Sequence, residues 1–279
     1  MASLITLCAG TSLAKGLFPL VGAEGTTTYR LVFSTLLLMA FWRPWRRAWT
    51  WSDAPILVLF GATLGIMNLL FYSAIKTVPF GLAIAVEFTG PLAVALWSSK
   101  KPLDFVWIVL AVAGMGLILP LGNTLGTDSQ IASIDPLGIA FALGAGCCWA
   151  VYIVVGQRVA DRIGALATPM GMLVAALVVL PVGISVAGTS LLNPAWMLAG
   201  LAIALLSSAI PYSLEMYSLK QLPKQTFSIL LSLEPAVGAL AGWLVLSEQL
   251  STQQLGAIGL IMAASMGSAM TAGHRQTTD

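Results

Sequence analysis

KTVPFGLAIAVEFTGP, residues 76–91, can be laid over KQLPKQTFSILLSLEP, residues 220–235, without a gap. One lysine and two prolines then coincide at an offset of 144 residues: Lys76 with Lys220, Pro79 with Pro223, and Pro91 with Pro235. A chance alignment of prolines in apolar sequence is the alternative interpretation. We favour an internal repeat, because the distribution of positive charge along the chain agrees with it.

The composition is that of an integral membrane protein. Of 279 residues, 58% are hydrophobic and 9% are charged, and the mean hydropathy is +0.92, which is far outside the range of soluble domains. A membrane-spanning helix needs about 20 predominantly apolar residues, and runs of that length recur along the whole chain. The run IVLAVAGMGLIL, residues 108–119, does not alternate as the strands of a β-barrel would. The sequence therefore predicts an all-α polytopic membrane protein.

The apolar runs predict about ten transmembrane helices. Their expected bounds are 2–22, 26–42, 54–75, 79–98, 103–121, 136–157, 165–187, 195–219, 224–247 and 252–271. The matched segments then belong to helices four and nine, so each half contains five helices and the second half enters the membrane upside down. We expect a first repeat in residues 1–122, an external connecting loop in 123–135, a second repeat in 136–271 and a cytoplasmic tail in 272–279.

Positive charge lies mostly on one side of this predicted topology. With both termini in the cytoplasm, the outer loops keep only Lys76. The inner segments hold Arg43, Arg46, Arg47, Lys100, Lys101, Arg158, Arg162, Lys220, Lys224 and Arg275. The positive-inside rule selects this orientation. No basic region precedes the first apolar run, which argues against a removable signal peptide.

Two prolines inside the matched helices indicate a transport site. Pro91 has no N–H to donate to the carbonyl of Glu87, so we expect a kink that leaves this carbonyl free beside the carboxylate. Pro235 releases the carbonyl of Leu231 in the same way and adjoins Glu234. Paired, interrupted helices in inverted repeats are typical of secondary transporters, whose substrate site lies near the midplane. The alternative is that both prolines only shape packing.

Three glutamates are candidates for binding substrate or a coupling proton. Glu87 and Glu234 lie near the middle of their predicted helices, whereas Glu215 is nearer the cytoplasmic end of helix eight. An acidic residue at a helix centre costs about 2.5–3.5 kcal/mol, so such residues usually face a cavity or a partner. A purely structural hydrogen bond is the alternative for each glutamate.

Further polar residues share helix faces in the same part of the chain. At helical spacing, three pairs are candidates for lining a cavity: Asn68 with Tyr72, Tyr212 with Glu215, and Trp149 with Tyr152. Lys15 and Arg30 are candidates for facing a substrate carboxylate, and Pro211 is a third candidate for a helix kink. The alternatives are packing or an interfacial belt for the aromatic residues, and snorkelling to the interface for Arg30.

Catalytic and metal chemistry finds no support in the motifs. The one histidine, His274, lies in the polar tail, and the patterns HExxH, GxSxG and CxxC are absent. Cys8, Cys147 and Cys148 lie in apolar segments and are expected to be packing residues. We expect no enzyme activity, cofactor, metal or nucleic-acid partner. A membrane receptor or scaffold is the competing class, and a homodimer is left open.

Several segments also resemble a known family of transporters. They are SLAKGLFPLVGA (12–23), VEFTGPLAVAL (86–96), ALGAGCCWAVYIV (142–154), IPYSLEMYSL (210–219) and LLSLEPAVGALAGWL (230–244). Together they resemble bacterial inner-membrane exporters of threonine and homoserine, in the EamA family of the drug/metabolite transporter superfamily. The resemblance spans nearly the whole chain and implies ten helices in two inverted EamA repeats.

The same resemblance implies a function. It implies export of small neutral amino acids through the lipid bilayer, with protons as the driving partner. Export of drugs or other small metabolites is the alternative within the superfamily. One feature departs from the pattern, since only fourteen residues precede Lys15 and these exporters carry a longer N-terminus. We expect either a truncated first helix or an upstream start.

Overall fold

Helices make up almost all of the described chain. The computed structural model describes residues 2–46, 51–97, 102–118, 135–211, 214 and 230–273, and no strand occurs within these ranges. The α-helices are α1 (Ala2–Lys15), α2 (Phe18–Trp42), α3 (Ala54–Ala74), α4 (Phe80–Glu87), α5 (Thr89–Trp97), α6 (Pro102–Ile118), α7 (Pro136–Ile163), α8 (Ala167–Ala187), α9 (Pro194–Ala204), α10 (Glu234–Leu246) and α11 (Thr252–Gly273). The predicted all-α class is confirmed.

Part of the predicted topology lies outside the described residues. Tyr212, Glu215, Lys220, Pro223 and the segment 119–134 are in this group. The second matched segment is described only from residue 230 onward. The count of ten spans and the bounds of the repeats therefore stay predictions.

The helices have the apolar character of membrane spans. By length and composition, three described stretches are able to cross a membrane: Ala54–Ala74, Pro136–Ile163 and Ala167–Leu192. Shorter apolar helical stretches occupy Phe80–Val94, Phe105–Leu117, Pro194–Ala209 and Glu234–Leu246. Large apolar side chains such as Trp97 and Phe41 point outward, with 90% and 78% of their surface exposed. Lipid solvates such a surface, whereas in water it would promote aggregation.

The bundle has two ends, and two ion pairs mark the first of them. At the first, called the Lys15 end, Lys15 pairs with Glu248 at 2.5 Å and Lys76 pairs with Glu24 at 2.7 Å. Helices α1 and α3 end there, and α2 and α4 begin there. The opposite end, where α2 ends and α3 begins, is called the Arg43 end.

The first two helices depart from their predicted bounds. Helix α1 ends at Lys15 rather than at residue 22, because Gly16 and Leu17 form a turn. Helix α2 follows at once and bends sharply at Gly22, where φ is 73° and ψ is 169°. Glycine adopts this conformation readily because it has no Cβ atom. Lys15 consequently lies at the end of a helix, not inside one.

The fourth predicted span is broken in its middle. Helix α4 ends at Glu87 and α5 begins at Thr89, with Phe88 in a turn between them. Pro91 follows within one turn and cannot donate to the Glu87 carbonyl. The break therefore falls where the missing hydrogen bond weakens the helix.

A second break precedes α10. Ser232 and Leu233 form a turn, and Pro235 is the second residue of the helix that follows. Ser232 lies 144 residues after Phe88, which is also the offset between the matched segments. The two interruptions thus occupy corresponding positions in the sequence match.

The helices of the two halves of the chain interlock. Helix α2 packs along α8, α4 along α10, and α6 along α11. Helix α3 contacts both α7 and α8, while α9 and the turn after it contact both α1 and α2. Helix α7 contacts α4 and α5, and α1 contacts α10. The buried core therefore lies mainly between the halves rather than within either one.

Helix α7 is anchored at the Lys15 end by Asp135. The Asp135 carboxylate accepts a hydrogen bond from the Leu137 N–H at 3.0 Å, as an N-cap residue does. The Thr77 hydroxyl and this N–H, in that order, hold the pKa of Asp135 below its ordinary value. Because Thr77 lies between α3 and α4, the cap also joins the second half of the chain to the first.

Two glycines allow close contact beside the break in the fourth span. A Cβ atom at Gly90 of α5 would overlap the carbonyl of Gly146 in α7. A Cβ atom at Gly146 would lie 2.7 Å from the carbonyl oxygen of Glu87. The carbonyl that Pro91 releases therefore packs against α7, which corrects the expectation that it lies free beside the carboxylate.

Substitution of Gly90 by alanine should loosen this contact. The added methyl group must push α5 away from α7, and overpacking of this kind costs about 1–3 kcal/mol. We expect Gly90→Ala to lower the thermal unfolding temperature of the purified protein in detergent. Gly116→Ala is the matched control, because a Cβ atom there has no neighbour within 4 Å. Equal unfolding temperatures for the two variants would contradict the assigned contact.

Candidate functional site

A cavity lies in the core between the two halves of the chain. Its volume is about 280 Å³. It is lined by Leu7, Cys8, Thr11, Arg30, Leu64, Met67, Asn68, Phe71, Phe80, Ile84, Glu87, Trp149, Tyr152, Ser207, Pro211, Leu231 and Glu234. These residues include positively and negatively charged side chains, several other hydrogen-bonding groups and several aromatic rings. A second pocket, of about 630 Å³, lies between α10 and α11 and is lined mostly by apolar side chains.

Arg30 supplies a cation to the cavity and donates hydrogen bonds to at least three groups among the described residues. The residue belongs to α2, and only 8% of its surface is exposed. Nε donates to the Ser208 hydroxyl at 3.2 Å, Nη2 to the Ser207 carbonyl at 3.2 Å, and Nη1 to the Tyr72 hydroxyl at 3.4 Å. Arg30 therefore does not snorkel to an interface.

The backbone partner of Arg30 is explained by Pro211. Helix α9 passes into a π-helical turn at Leu205–Ala209. Four residues after Ser207, Pro211 has no N–H to donate to the Ser207 carbonyl. Arg30 donates to that carbonyl instead. Arg30 thus supplies the hydrogen-bond donor that Pro211 lacks, and the Ser207 carbonyl supplies an acceptor for the buried guanidinium.

Two carboxylates, those of Glu87 and Glu234, line the cavity, and Glu87 has no such hydrogen bonds from the described side chains. It is the last residue of α4, and 8% of it is exposed. Within the described part of the chain, no side chain hydrogen-bonds its carboxylate. Its charged neighbours are Glu234 and Arg30, which act on it electrostatically. The described residues therefore do not supply the structural hydrogen bond that was the alternative interpretation.

Aromatic side chains form much of the remaining wall. Trp149 meets Phe88 edge to face, with ring centroids 5.4 Å apart, at the break between α4 and α5. Tyr152 stacks on Phe60 at 4.7 Å. Both predicted aromatic residues of α7 thus lie at the cavity and not in an interfacial belt.

The cavity is closed towards the Lys15 end. Phe80 and Phe71 pack edge to face there, with ring centroids 6.2 Å apart, and 1% and 8% of these residues are exposed. The Phe80 N–H donates to Glu248 Oε2 at 2.7 Å, and Lys15 binds the other oxygen of this carboxylate at 2.5 Å. Lys15 lies outside the cavity, at its closed end, rather than facing its interior.

Most of the predicted site residues come together. The cavity brings together Arg30, Asn68, Glu87, Trp149, Tyr152, Pro211 and Glu234. Tyr72 lies behind Arg30 and is fully buried. Pro91 and Pro235 flank the two helix breaks. Tyr212 and Glu215 lie outside the described residues.

Sequence reasoning missed several residues of the cavity. Cys8, Thr11 and Ser207 line it, yet none was singled out as a site residue. Ser207 could have been found by counting four residues back from Pro211, as was done for Pro91. Cys8 and Thr11 carried no such signal, because small polar residues are common in apolar helices.

Comparison with known proteins gives relatives along nearly the whole chain. The model of the EamA-like transporter family matches residues 136–270. The threonine/homoserine exporter RhtA of Escherichia coli (strain K12) is 49% identical over 271 residues, which cover 97% of this chain and 90% of that protein. RhtA of Salmonella typhimurium (strain LT2) is 48% identical over the same shares.

More distant similarity extends to other transporters. The uncharacterized transporter YwfM of Bacillus subtilis (strain 168) is 26% identical over 243 residues, which cover 83% of this chain and 79% of that protein. A protein of known crystal structure has the same fold, with a TM-score of 0.60 over 97% of this chain and 96% of that one, at 18% identity. The protein is thus a membrane transporter and not an enzyme. It belongs to the EamA-like transporter family.

Proposed function

We propose that this protein is a secondary active transporter that exports small neutral amino acids such as threonine and homoserine. The observation that carries the proposal is the presence of a fixed cation, Arg30, and a carboxylate, Glu87, in the lining of one cavity. The relatives of highest identity reported above are named threonine/homoserine exporters. This supports the same cargo for a chain that is 49% identical to one of them.

The charges of the cavity suit a zwitterion. A free amino acid carries an ammonium and a carboxylate group, and burying either one unpaired costs several kcal/mol. We assign the substrate carboxylate to Arg30 and the ammonium group to Glu87. Of the two cations considered, Arg30 is favoured because Lys15 lies outside the cavity and pairs with Glu248.

The size of the cavity favours small substrates. Sites for drug-sized molecules usually have volumes of roughly 300–1,000 Å³, and this cavity has about 280 Å³. A large apolar drug would leave the charged and hydrogen-bonding groups of the cavity without partners. Export of drugs is accordingly the weaker alternative.

Two inverted repeats are proposed to build the transporter, at residues 1–122 and 136–271. The packing pattern supports them, because its main contacts between the two halves recur when α1, α2, α3, α4 with α5, and α6 are exchanged for α7, α8, α9, α10 and α11. Thus α3 contacts α7 and α8 as α9 contacts α1 and α2. The equal spacing of the helix breaks supports the same assignment.

We place the Arg43 end in the cytoplasm and the Lys15 end outside, in a bacterial inner membrane. The basic residues Arg43, Arg46 and Arg162 lie at the Arg43 end, as the positive-inside rule requires. Both termini then lie in the cytoplasm.

Proton coupling is assigned to Glu87, which then binds either a proton or the substrate ammonium group. Exchange of these two cations at one carboxylate links their movements in opposite directions. Glu234 and Glu215 are the rival groups for the proton.

Glu87→Gln should abolish transport driven by a pH gradient. The substitution keeps the shape and one acceptor oxygen of the side chain but removes its charge. Counterflow of radiolabelled threonine in proteoliposomes, with and without an imposed gradient, measures the effect. Glu234→Gln tests a rival group, and we expect it to retain transport driven by the pH gradient. Should Glu87→Gln transport threonine at the wild-type rate and with the same pH dependence, the site must be sought around Glu234 and Glu215.

Cysteines at the two repeated lysines should be labelled from opposite sides. We expect Lys76→Cys, in a chain without its native cysteines, to react with an impermeant thiol reagent added outside the cell. Lys220→Cys should react only after the membrane is opened. The same labelling of both variants from outside would rule out the inverted repeat.

The ion pair between Lys15 and Glu248 should keep the outer side closed. It joins the end of α1 to the turn after α10, across the proposed repeats. Glu248→Gln removes the charge, so Cys8, which is 1% exposed in the cavity wall, should react faster with an impermeant thiol reagent from outside. Cys147 and Cys148 are replaced by alanine in this experiment.

Glu24→Gln provides the control for this closure. It removes the ion pair with Lys76 at the same end, but both partners belong to the first repeat. Labelling of Cys8 should therefore stay slow. If both variants, or neither, accelerate the reaction, the pair between Lys15 and Glu248 is not the closing contact.

A further inference from the structure

Asn68 is a buried polar residue of the cavity. It takes no part in the proposed binding of the substrate carboxylate by Arg30 or of the ammonium group by Glu87. We propose that its side-chain oxygen recognises the hydroxyl group of the substrate side chain. The inference rests on the proposed function, and it names the residue that distinguishes hydroxylated amino acids from apolar ones of the same size. Threonine and homoserine carry this hydroxyl group, whereas valine, which has the shape of threonine, does not.

The orientation of the Asn68 amide follows from its hydrogen bond. Asn68 lies in α3 and is 6% exposed. Its Nδ2 donates to the Leu64 carbonyl one turn earlier, at 2.8 Å. Because a carbonyl oxygen only accepts, the nitrogen must be the atom that faces it. The oxygen Oδ1 is thereby left for the cavity, and no described side chain donates to it.

The position of Asn68 suits a third contact to the same ligand. Tyr72 lies four residues later on the same face of α3, so one turn separates Asn68 from the group that binds Arg30. Glu87 lies in the wall of the same cavity. The site therefore offers a cation, a carboxylate and a neutral acceptor, which match the carboxylate, ammonium and hydroxyl groups of threonine.

Thr11 is the competing candidate for this role. Its residue is 3% exposed and it lines the cavity from α1. A threonine hydroxyl both donates and accepts and can rotate to suit either partner. The Asn68 oxygen only accepts and is held in place through Leu64. A fixed acceptor penalises an apolar analogue, because that analogue leaves the buried oxygen without a donor.

The test compares two isosteric substrates in proteoliposomes containing the full chain. Threonine and valine compete with radiolabelled threonine in counterflow, and the ratio of their inhibition constants measures recognition of the hydroxyl group. We expect Asn68→Leu to reduce the preference for threonine over valine by about three- to tenfold, the effect of one neutral hydrogen bond. Asn68→Ala removes the acceptor without adding bulk and should act in the same direction. Thr11→Val is the matched control and should leave the ratio near the wild-type value.

Each other outcome overturns the inference. If both Asn68 variants weaken threonine and valine equally, the oxygen binds the ammonium group that all amino acids share. If only Thr11→Val changes the ratio, the hydroxyl group is recognised from α1. If the Asn68 variants transport threonine like the wild-type protein and the ratio of the inhibition constants is unchanged, only the role of Asn68 is rejected. Absence of any threonine or homoserine counterflow by the wild-type protein rejects the proposed function and this inference with it.

Discussion

The bond between Arg30 and the Ser207 carbonyl is the contact on which the cavity depends. Inside a bilayer no water is at hand for an unpaired backbone group, so a helix interior normally satisfies every carbonyl itself. Pro211 breaks that rule at Ser207, and Arg30 supplies the missing donor. The same guanidinium binds Ser208 and Tyr72. One buried cation therefore fixes α2, α3 and the turn after α9 relative to each other.

Two of the charged residues that line the cavity, Arg30 and Glu87, are held very differently, and the contrast has a chemical consequence. Among the described residues, at least three hydrogen-bond acceptors hold Arg30, so its position does not depend on a bound ligand. Glu87 has no hydrogen-bond donor among the described residues, and a buried carboxylate without a donor is costly. A proton or a substrate ammonium group removes that cost. In the proposed mechanism, the fixed Arg30 and the unsatisfied Glu87 favour exchange between these two cations over permanent occupancy by either.

Much of the fold and site was open to prediction from local chemistry. The prolines located both breaks, because the missing N–H acts within one helix and needs no knowledge of its neighbours. Helical spacing grouped Asn68 with Tyr72, and the cost of a buried acidic residue singled out Glu87 and Glu234. Tertiary features were not accessible in this way. The turn at Gly16 and Leu17, which moves Lys15 out of the cavity, and the place of the Glu87 carbonyl against Gly146 both depend on packing between distant segments.

The proposed inverted repeats also indicate which contacts change during transport. Exchanging the conformations of the two repeats leaves α2 on α8, α4 on α10, and α6 on α11, because each of these helices packs on its own counterpart. By contrast, the contact between α1 and α10 and the contact of α7 with α4 and α5 exchange roles when the repeats exchange conformations. Lys15 and Glu248 lie on that exchanging contact, and their residues are partly exposed, so their charges can be resolvated when it opens. The contacts between each helix and its own counterpart then form the pivot. The ion pair between Lys15 and Glu248 belongs to the surface that moves.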